Sequence, residues 1–468
     1  MSPTTEPVTL NLQFVLDTHR ARASNYQRYI NYYNGEHDLR FATNKWRNAF
    51  GSLFRQFSDN LCAPIVDAAA DRLQVTGFTG TPTANSLWEI WTRNNMDRKA
   101  GTIHAHALTT GDAYAIVWPD PATGLAVIDP NPSYQVAVYY NDNGTSLKAA
   151  SKLWQDDSSR WRLTLYYADR LEKYVTNNTK KTTPEKANDF IKYTLDSEPW
   201  PVPNPYNQVP VFHFANAPEM GVWGKSELFN IIPIQDALNK ALSDMLVAME
   251  FVALPQRWAT GLELPEDATT GRPKVPFEAG VDRIWSSPDQ ESRFGQFEGA
   301  NLQQFTQVQN DLRLDMARIS RTPLHYLSMG GSSQSAFVSV AYPSGESLKT
   351  AEAPFIAKLE DRQITYGDEW EQLIAFAALI EGSEVDVNTI ETLWKPAAPK
   401  SDTDAIETAL KKQTLGIPNA VIWKELGYSD AQVAAMLAIS TPAETTPNKI
   451  AAPEPTGSAK ELSVRAVA

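Results

Sequence analysis

Two long segments carry apolar residues at helical spacing, and the stretch between them does not. From Leu238 onward, Leu238, Leu242, Met245, Met249 and Val252 recur at alternate steps of four and three, the spacing of a seam that faces a partner helix. Leu246, Val247 and Phe251 fall off that seam, so more than one side is apolar, which predicts contact both within the chain and with a neighbour. Asn239, Lys240, Ser243, Asp244 and Glu250 are expected to form the wet face. Over residues 254–300 the period is lost, and Pro255, Pro265, Pro273, Pro276 and Pro288 interrupt short strand-like runs. The helical pattern then returns, with Leu302, Phe305, Val308, Leu312, Met316 and Ile319 predicted on one face. Helices of about 20 residues reach roughly 30 Å at 1.5 Å per residue, enough to hold an irregular segment away from a main body.

Before this hairpin the pattern predicts helices over residues 10–33, stopped by Asn34-Gly35, and over 48–73, where Phe54, Phe57, Leu61 and Ile65 form an apolar face beside Cys62. A strand over 73–78 and short helices over 86–94 and 97–109 follow. From Gly111 the texture changes to alternating runs over 113–118, 125–128, 134–140, 147–154, 161–167 and 171–175. Asp120-Pro121, Asp129-Pro130, Asn141-Asp142-Asn143-Gly144 and Asp156-Asp157-Ser158-Ser159 separate them with turn chemistry, which predicts an antiparallel sheet. A polar loop over 176–188 and a strand over 209–214 lead into the hairpin. After it, Arg321-Thr322-Pro323 ends the helical pattern and residues 328–335 form a Gly/Ser tract expected to be flexible. Ser344 is expected to cap a long helix with Leu348, Phe355, Leu359, Tyr366, Trp370, Leu373, Ala377 and Ile380 on one face. Pro354 removes a backbone donor inside it and is expected to kink it. A strand over 389–394 and small helices over 401–413, 419–426 and 429–439 close the pattern. Residues 440–468 are rich in Pro, Thr, Ala and Ser and are expected to be disordered. The expected fold class is α+β.

Charge narrows the function classes. The 468 residues hold 42 Lys and Arg against 55 Asp and Glu, a net charge of −13, which argues against a tight grip on a phosphate backbone. Cys62 is the only cysteine, so no disulfide within the chain and no cysteine-based metal site is expected. No run of 18 apolar residues and no signal-like N-terminal pattern occurs, so neither a membrane span nor secretion by that route is expected.

Candidate chemistry is sparse. Gly224-Lys225-Ser226 before a helix resembles the end of a phosphate-binding loop, but the required upstream glycine position holds Glu219. The plainer reading is a loop whose Ser226 caps a helix with Glu227 in its first turn. His104 and His106 point different ways on a helix and read as ordinary polar positions, and His213 between Phe212 and Phe214 reads as solvent-facing. No acid/base couple stands out, and no catalytic residue, cofactor or metal site is assigned.

A family does emerge from the order of local motifs. Gly111-Asp112-Ala113-Tyr114 opens a strand, and Gly224-Lys225-Ser226-Glu227-Leu228 precedes Gln235-Asp236-Ala237-Leu238-Asn239-Lys240 and Pro255-Gln256-Arg257-Trp258. Arg321-Thr322-Pro323 then leads to Pro343-Ser344-Gly345-Glu346-Ser347-Leu348-Lys349 and Ala351-Glu352-Ala353-Pro354. In this order the motifs resemble the portal proteins of tailed bacteriophages, in particular the siphophage type of actinobacterial phages. The resemblance covers residues 32–437.

It implies a homo-oligomeric ring, usually dodecameric, at one capsid vertex of the virion, assembled in the cytoplasm of the bacterial host. Double-stranded DNA would be packaged and ejected through it, and the terminase motor, the major capsid and scaffold proteins and a head-tail adaptor would be its partners, with no membrane involved. On that mapping residues 1–222 are the N-terminal part of a wing, 223–253 and 301–322 the two stem helices, and 254–300 a clip. Residues 344–398 are the long wing helix with its returning strand, 399–439 a helical crown and 440–468 a disordered tail. The resemblance makes 323–343 a tunnel loop, with Tyr326, Met329, Gly330, Gly331, Ser332, Ser333, Gln334, Ser335 and Phe337 facing DNA. Subunits would pack through Leu238, Leu242, Met245, Met249, Val252, Leu302, Phe305, Leu312 and Met316. The competing readings are a nucleotide-using enzyme at Gly224-Lys225-Ser226, which hydrolysis by the purified chain would favour, and a non-ring virion scaffold protein, which a small, sharply defined mass in solution would favour.

Overall fold

The computed structural model describes residues 9–37, 59–144, 146–179, 182–195, 198–218, 222–253, 257–261, 291–297, 299, 301–327, 345–398, 402–426, 433 and 436–437. It divides into two compact units, Met1–Ala397 and Ala398–Ala468. Helix and sheet are mixed, as the α+β expectation requires.

The first unit starts with helix α1 (Leu12–Tyr33), capped by Asn11, whose side chain accepts from the Gln13 and Phe14 N–H groups. Helix α2 (Cys62–Ala70), strand β1 (Val75–Thr79) and helices α3 (Ala84–Arg93) and α4 (Met96–Thr110) follow. Cys62 is fully buried in α2, the small hydrophobe that the pattern predicts, whereas Phe54 and Phe57 lie outside the described residues. The chain then lays down β2 (Asp112–Pro119), β3 (Ala126–Pro132), β4 (Val136–Tyr140), β5 (Leu147–Gln155), β6 (Trp161–Tyr166), β7 (Arg170–Thr176), β8 (Phe190–Lys192), β9 (Val202–Pro203) and β10 (Val211–Ala215). Strands β10, β2 and β3 form one antiparallel sheet, and β4 to β8 run side by side in another, with β9 paired to β7.

Period-2 alternation explains why these sheets are buried on both sides. On β4, Ala137 and Tyr139 face a core with Val15 and Leu16 of α1, while Val136 and Val138 face a second core with Tyr114 and Ile116 of β2. Ala113, Ala115 and Val117, the alternate residues of β2, face the largest core, built from α2, α3, α4 and the long helix α8 (Gly345–Ile380). That helix runs unbroken through Pro354 and buries Phe355, Leu359, Tyr366, Trp370 and Leu373. Strand β13 (Glu391–Trp394) returns to pair with β1.

Two histidines correct the sequence expectation. His104 is fully buried: Nδ1 lies 3.0 Å from the Leu73 carbonyl and Nε2 accepts from Trp370 Nε1 at 3.0 Å. Burial holds its pKa down at about 4, so it serves as a neutral core group. His213 is 3% exposed rather than solvent-facing, because β10 has a core on either side.

Between β10 and α8 stands the predicted hairpin: α5 (Ile232–Ala253), a ribbon of β11 (Arg257–Thr260) and β12 (Arg293–Gln296), and α6 (Leu302–Ser320). A short helix α7 (Leu324–Leu327) follows it. The second unit, taken by itself, contains α9 (Asp402–Thr414) and α10 (Asn419–Glu425), joined through Gly416 at φ +83°. Most of the third small helix expected there, and the tail over 440–468, lie outside the described residues.

Candidate functional site

The hairpin is fastened at its foot by polar side chains. Gln235 and Asn239 sit one turn apart on α5 and together capture the chain entering α2. Gln235 accepts from the Leu61 N–H at 3.0 Å and donates to the Asp59 carbonyl at 2.6 Å, and Asn239 accepts from the Asp59 N–H at 3.0 Å. Tyr32 donates to Asp236 at 2.6 Å, and Arg313 of α6 reaches the Asp59 carboxylate at 3.0 Å. Asn239 and Ser243 are therefore buried, not the wet face the pattern suggests. They escape the desolvation penalty because each has a partner; Ser243, for instance, donates to the Asn239 carbonyl at 2.7 Å.

Both feet also meet one turn of α8. Lys358 Nζ donates to Glu227 at 3.2 Å, before α5, and to the Ser320 carbonyl at 2.9 Å, at the end of α6. Arg362, one turn on, lies 3.3 Å from the other Glu227 oxygen, and Asn216 donates to that oxygen at 3.2 Å. Burial alone would push the Glu227 carboxyl up, but the Lys358 and Arg362 charges outweigh it and hold the group below its ordinary value. Ser226 is consequently no helix cap: α5 starts at Ile232, and the Ser226 hydroxyl donates to the Thr109 carbonyl and accepts from the Leu228 N–H at 3.0 Å.

Ahead of the feet lies a buried hub on Asp112. Its carboxylate accepts from Arg22 at 2.5 Å, Tyr26 at 2.7 Å, His213 Nε2 at 2.7 Å and the Gly224 N–H at 2.9 Å. His213 Nδ1 lies 2.9 Å from the Tyr140 hydroxyl, and the Arg22 guanidinium stacks 3.3 Å from the Trp223 ring centre. Backbone runs close here: a Cβ on Gly224 would fall 1.8 Å from the Gly111 carbonyl oxygen, so no larger residue fits. This geometry disposes of a phosphate cradle. The Gly224 amide is spent on Asp112 and the Lys225 amide on the Asn216 carbonyl at 2.6 Å, so neither is available to an anion.

The sequence-derived packing positions divide into two groups. Leu238 and Met316 are buried in the chain's own core, and Leu312 packs against it. The first two thus leave almost no side-chain surface for the subunit packing expected of them. Leu242, Met245, Leu302 and Phe305 are part-buried, and Met249 and Val252 are exposed toward the far end of α5. On α6 the buried positions are Gln309, Met316, Ala317 and Ser320, while Val308 and Ile319 turn outward, contrary to the single face predicted. Gln309 Nε2 points at Met245 Sδ, 3.5 Å away, which brings a polar residue into the seam. At the ribbon, Trp258 lies over Gly295, where a Cβ would meet the indole at 2.4 Å, and Trp258, Phe294 and Phe297 are exposed.

Tyr326 lies in α7 with its hydroxyl tied to Arg72 and donating to Glu352 at 2.9 Å, and its ring lies 5.9 Å from that of Phe355. It ties α7 to α8 and to Arg72. Met329, Gly330, Gly331, Ser332, Ser333, Gln334, Ser335 and Phe337 lie outside the described residues. Sequence reasoning assigned no role to Lys358, Arg362, Arg22 and Tyr26, read Glu227 only as a first-turn residue of a helix capped by Ser226, and read His213 as solvent-facing. Only Asp112 and Glu227 carried a signal, as members of the quoted motifs, because the partners lie 86 or more residues away.

The family model described as "Phage portal protein, SPP1 Gp6-like" matches residues 12–440. The chain belongs to this phage portal family. Its members are structural proteins, not enzymes. The portal protein of Mycobacterium phage D29 is 25% identical over 403 residues, covering 78% of this chain and 75% of that portal protein. The portal protein of Mycobacterium phage L5 is 26% identical over 403 residues, covering 78% and 74%. Among solved structures, a chain from the virion of the native gene transfer agent particle overlays at a TM-score of 0.42 with 12% identity, covering 80% of this chain and 87% of that one. A chain from the neck of the native particle, computed with C12 symmetry, overlays with the same values.

Proposed function

We propose that this portal protein is the subunit of a closed, dodecameric ring at one capsid vertex of a phage particle, through which double-stranded DNA enters and leaves. The observation that carries the reading is a hairpin that stands on a polar, bolted foot and yet exposes Met249, Val252, Val308 and Ile319 along its length. Apolar surface on an extended pair of helices calls for a cover, and cyclic symmetry supplies one for every copy with no unpaired end. On this reading α5 and α6 are the stem, residues 254–300 the clip that meets the packaging motor and later a head-tail adaptor, and residues 399–439 the crown. The remainder of the first unit is the wing, with α8 bent at Pro354. A net charge of −13 suits a conduit along which DNA slides instead of sticking. Assembly with capsid and scaffold proteins in the host cytoplasm completes the reading.

Two outcomes are expected. Electron microscopy of the purified chain, or of the chain co-expressed with capsid and scaffold proteins, shows end-on rings with a central hole. A monomer at every concentration by light scattering, with no rings on co-expression, would remove the assembly reading. The second concerns the loop over 323–343, hypothesised from its Gly330-Gly331-Ser332-Ser333 tract to project into the channel. Shortening residues 330–334 should leave ring formation and thermal stability unchanged while lowering nuclease-protected DNA per particle. Full packaging with the shortened loop makes it dispensable, and collapse of the ring makes it structural; either result ends the hypothesis.

A further inference from the structure

His37, just past the end of α1, joins the foot of the hairpin through Asn239. Its ring lies against that of Tyr32, centres 5.0 Å apart, with Nε2 3.1 Å from the Tyr32 carbonyl and Nδ1 2.8 Å from Asn239 Nδ2. Two backbone groups fix where the protons are. The Tyr32 carbonyl can only accept, so Nε2 carries a hydrogen and donates it. The Asp59 N–H can only donate, so the Asn239 atom 3.0 Å from it is the side-chain oxygen, and the amide nitrogen is the atom that faces His37. Nδ1 must therefore be the acceptor. These contacts describe a neutral imidazole in one tautomer, held by a side chain that is 1% exposed.

We propose that His37 is a proton-sensitive pin in the foot of the hairpin: neutral, it ties the end of α1 to α5 through Asn239, and protonated, it releases that tie. A protonated ring carries hydrogens on both nitrogens, so Nδ1–H would point at the hydrogens of the Asn239 amide. Turning the amide over would give the ring an acceptor but set the amide nitrogen against the Asp59 N–H. One of the two contacts is lost either way, at a place where an unmatched donor is costly. His37 itself is part-exposed, so protons reach it from solvent. The charged groups around it are Arg28 and Glu36 on α1 and its exit, Asp236 and Lys240 on α5, Asp59 before α2 and Arg313 on α6. The acids among them favour a charged ring, but Nδ1 still faces a donor. The joint is therefore complete while the imidazole is neutral and weakens as pH falls through the range of roughly 8 to 5 in which imidazoles titrate. It concerns a single chain and holds whether or not rings form.

The test is hydrogen exchange of the full-length purified chain, read by mass spectrometry at about pH 7.5 and about pH 5.5 and corrected for the intrinsic rate at each. Over residues 235–243, measured against β4 to β7, the wild-type chain should open about fivefold more often at the lower pH. His37→Asn keeps an acceptor near the Nδ1 position and cannot titrate, so it should open equally at both. Burial holds His19, His104 and His106 down at about 4, and Asp112 and Glu227 are held below their ordinary values, so these groups stay outside the window. Glu369, pushed up to about 8 by burial, is common to both chains and cancels, as does every other group they share. Asn239→Asp should invert the sign, because a carboxylate accepts from both the Asp59 N–H and a protonated ring. Circular dichroism melting establishes that each variant is folded. His37→Gln replaces His37→Asn if that variant fails to fold, and the His37 comparison decides alone if Asn239→Asp fails. An equal dependence on pH in wild type and the His37 variant, a wild-type foot that opens more often at the higher pH, or a folded Asn239→Asp that keeps the wild-type sign would each overturn the proposal.

Discussion

Asp112→Ala is expected to destabilise the folded chain by about 4 kcal/mol, the cost of removing one partner from a buried charge network and stranding the other. The substitution leaves Arg22, the Tyr26 hydroxyl, His213 Nε2 and the Gly224 N–H facing a methyl group inside a fully buried site. A urea titration should show a lower midpoint with an unchanged slope, and a loss under about 1 kcal/mol would show that the hub is not a fastening. The effect also has a sign in pH. Burial raises the Asp112 carboxyl, but His213, Arg22 and the Gly224 N–H together hold it below its ordinary value. The unfolded chain therefore takes up this proton first on acidification. The stabilisation is complete above the unfolded value of about 4 and is lost as pH falls through the folded one, so wild type and variant should converge in acid.

Lys358→Met should cost about 3 kcal/mol and loosen both feet of the hairpin together. The Lys358 side chain is 6% exposed, and its ammonium holds two groups from opposite ends of the hairpin, Glu227 and the Ser320 carbonyl. Deleting it leaves Glu227 to Arg362 and Asn216 and leaves the α6 C-terminus without its donor. Hydrogen exchange should rise at residues 226–232 and 317–322 while β4 to β7 stay protected. Adding Glu227→Gln should recover part of the loss, because the stranded charge is then gone, and strict additivity of the two substitutions would mean that they do not interact. The Glu227 carboxyl, held low like that of Asp112, adds to the same loss of stability in acid.

Local patterning made much of this fold legible. Alternation of apolar residues between turn sequences located β2 to β7, and the 3.6-residue period located α1, α5, α6 and α8, because each of those signals lies within one element. The hairpin, which matters most to function, was readable for the same reason. What escaped was every contact made by pairing polar groups across the chain. Asn239 and Ser243 look like a solvated face until the chain at Asp59 is seen to pass over them. Lys358 and Arg362 lie on α8 at helical spacing like any exposed basic residues, and only Glu227, 131 positions from Lys358, makes them internal. His213 was misplaced because alternation says which residues of a strand share a face but not that both faces are covered, and His104 because helical spacing does not reveal that Leu73 and Trp370 enclose its side of the helix.

The shared grip on Lys358 gives the hairpin the mechanics of a cantilever. An α5 of 22 residues is about 33 Å long, and its free end carries the β11–β12 ribbon while both supports meet a single turn of α8. A sideways load on the ribbon therefore reaches the base as torque, pressing one support as it lifts the other. A bending moment, compression at one support and tension at the other, is what such a base passes to the helix behind it.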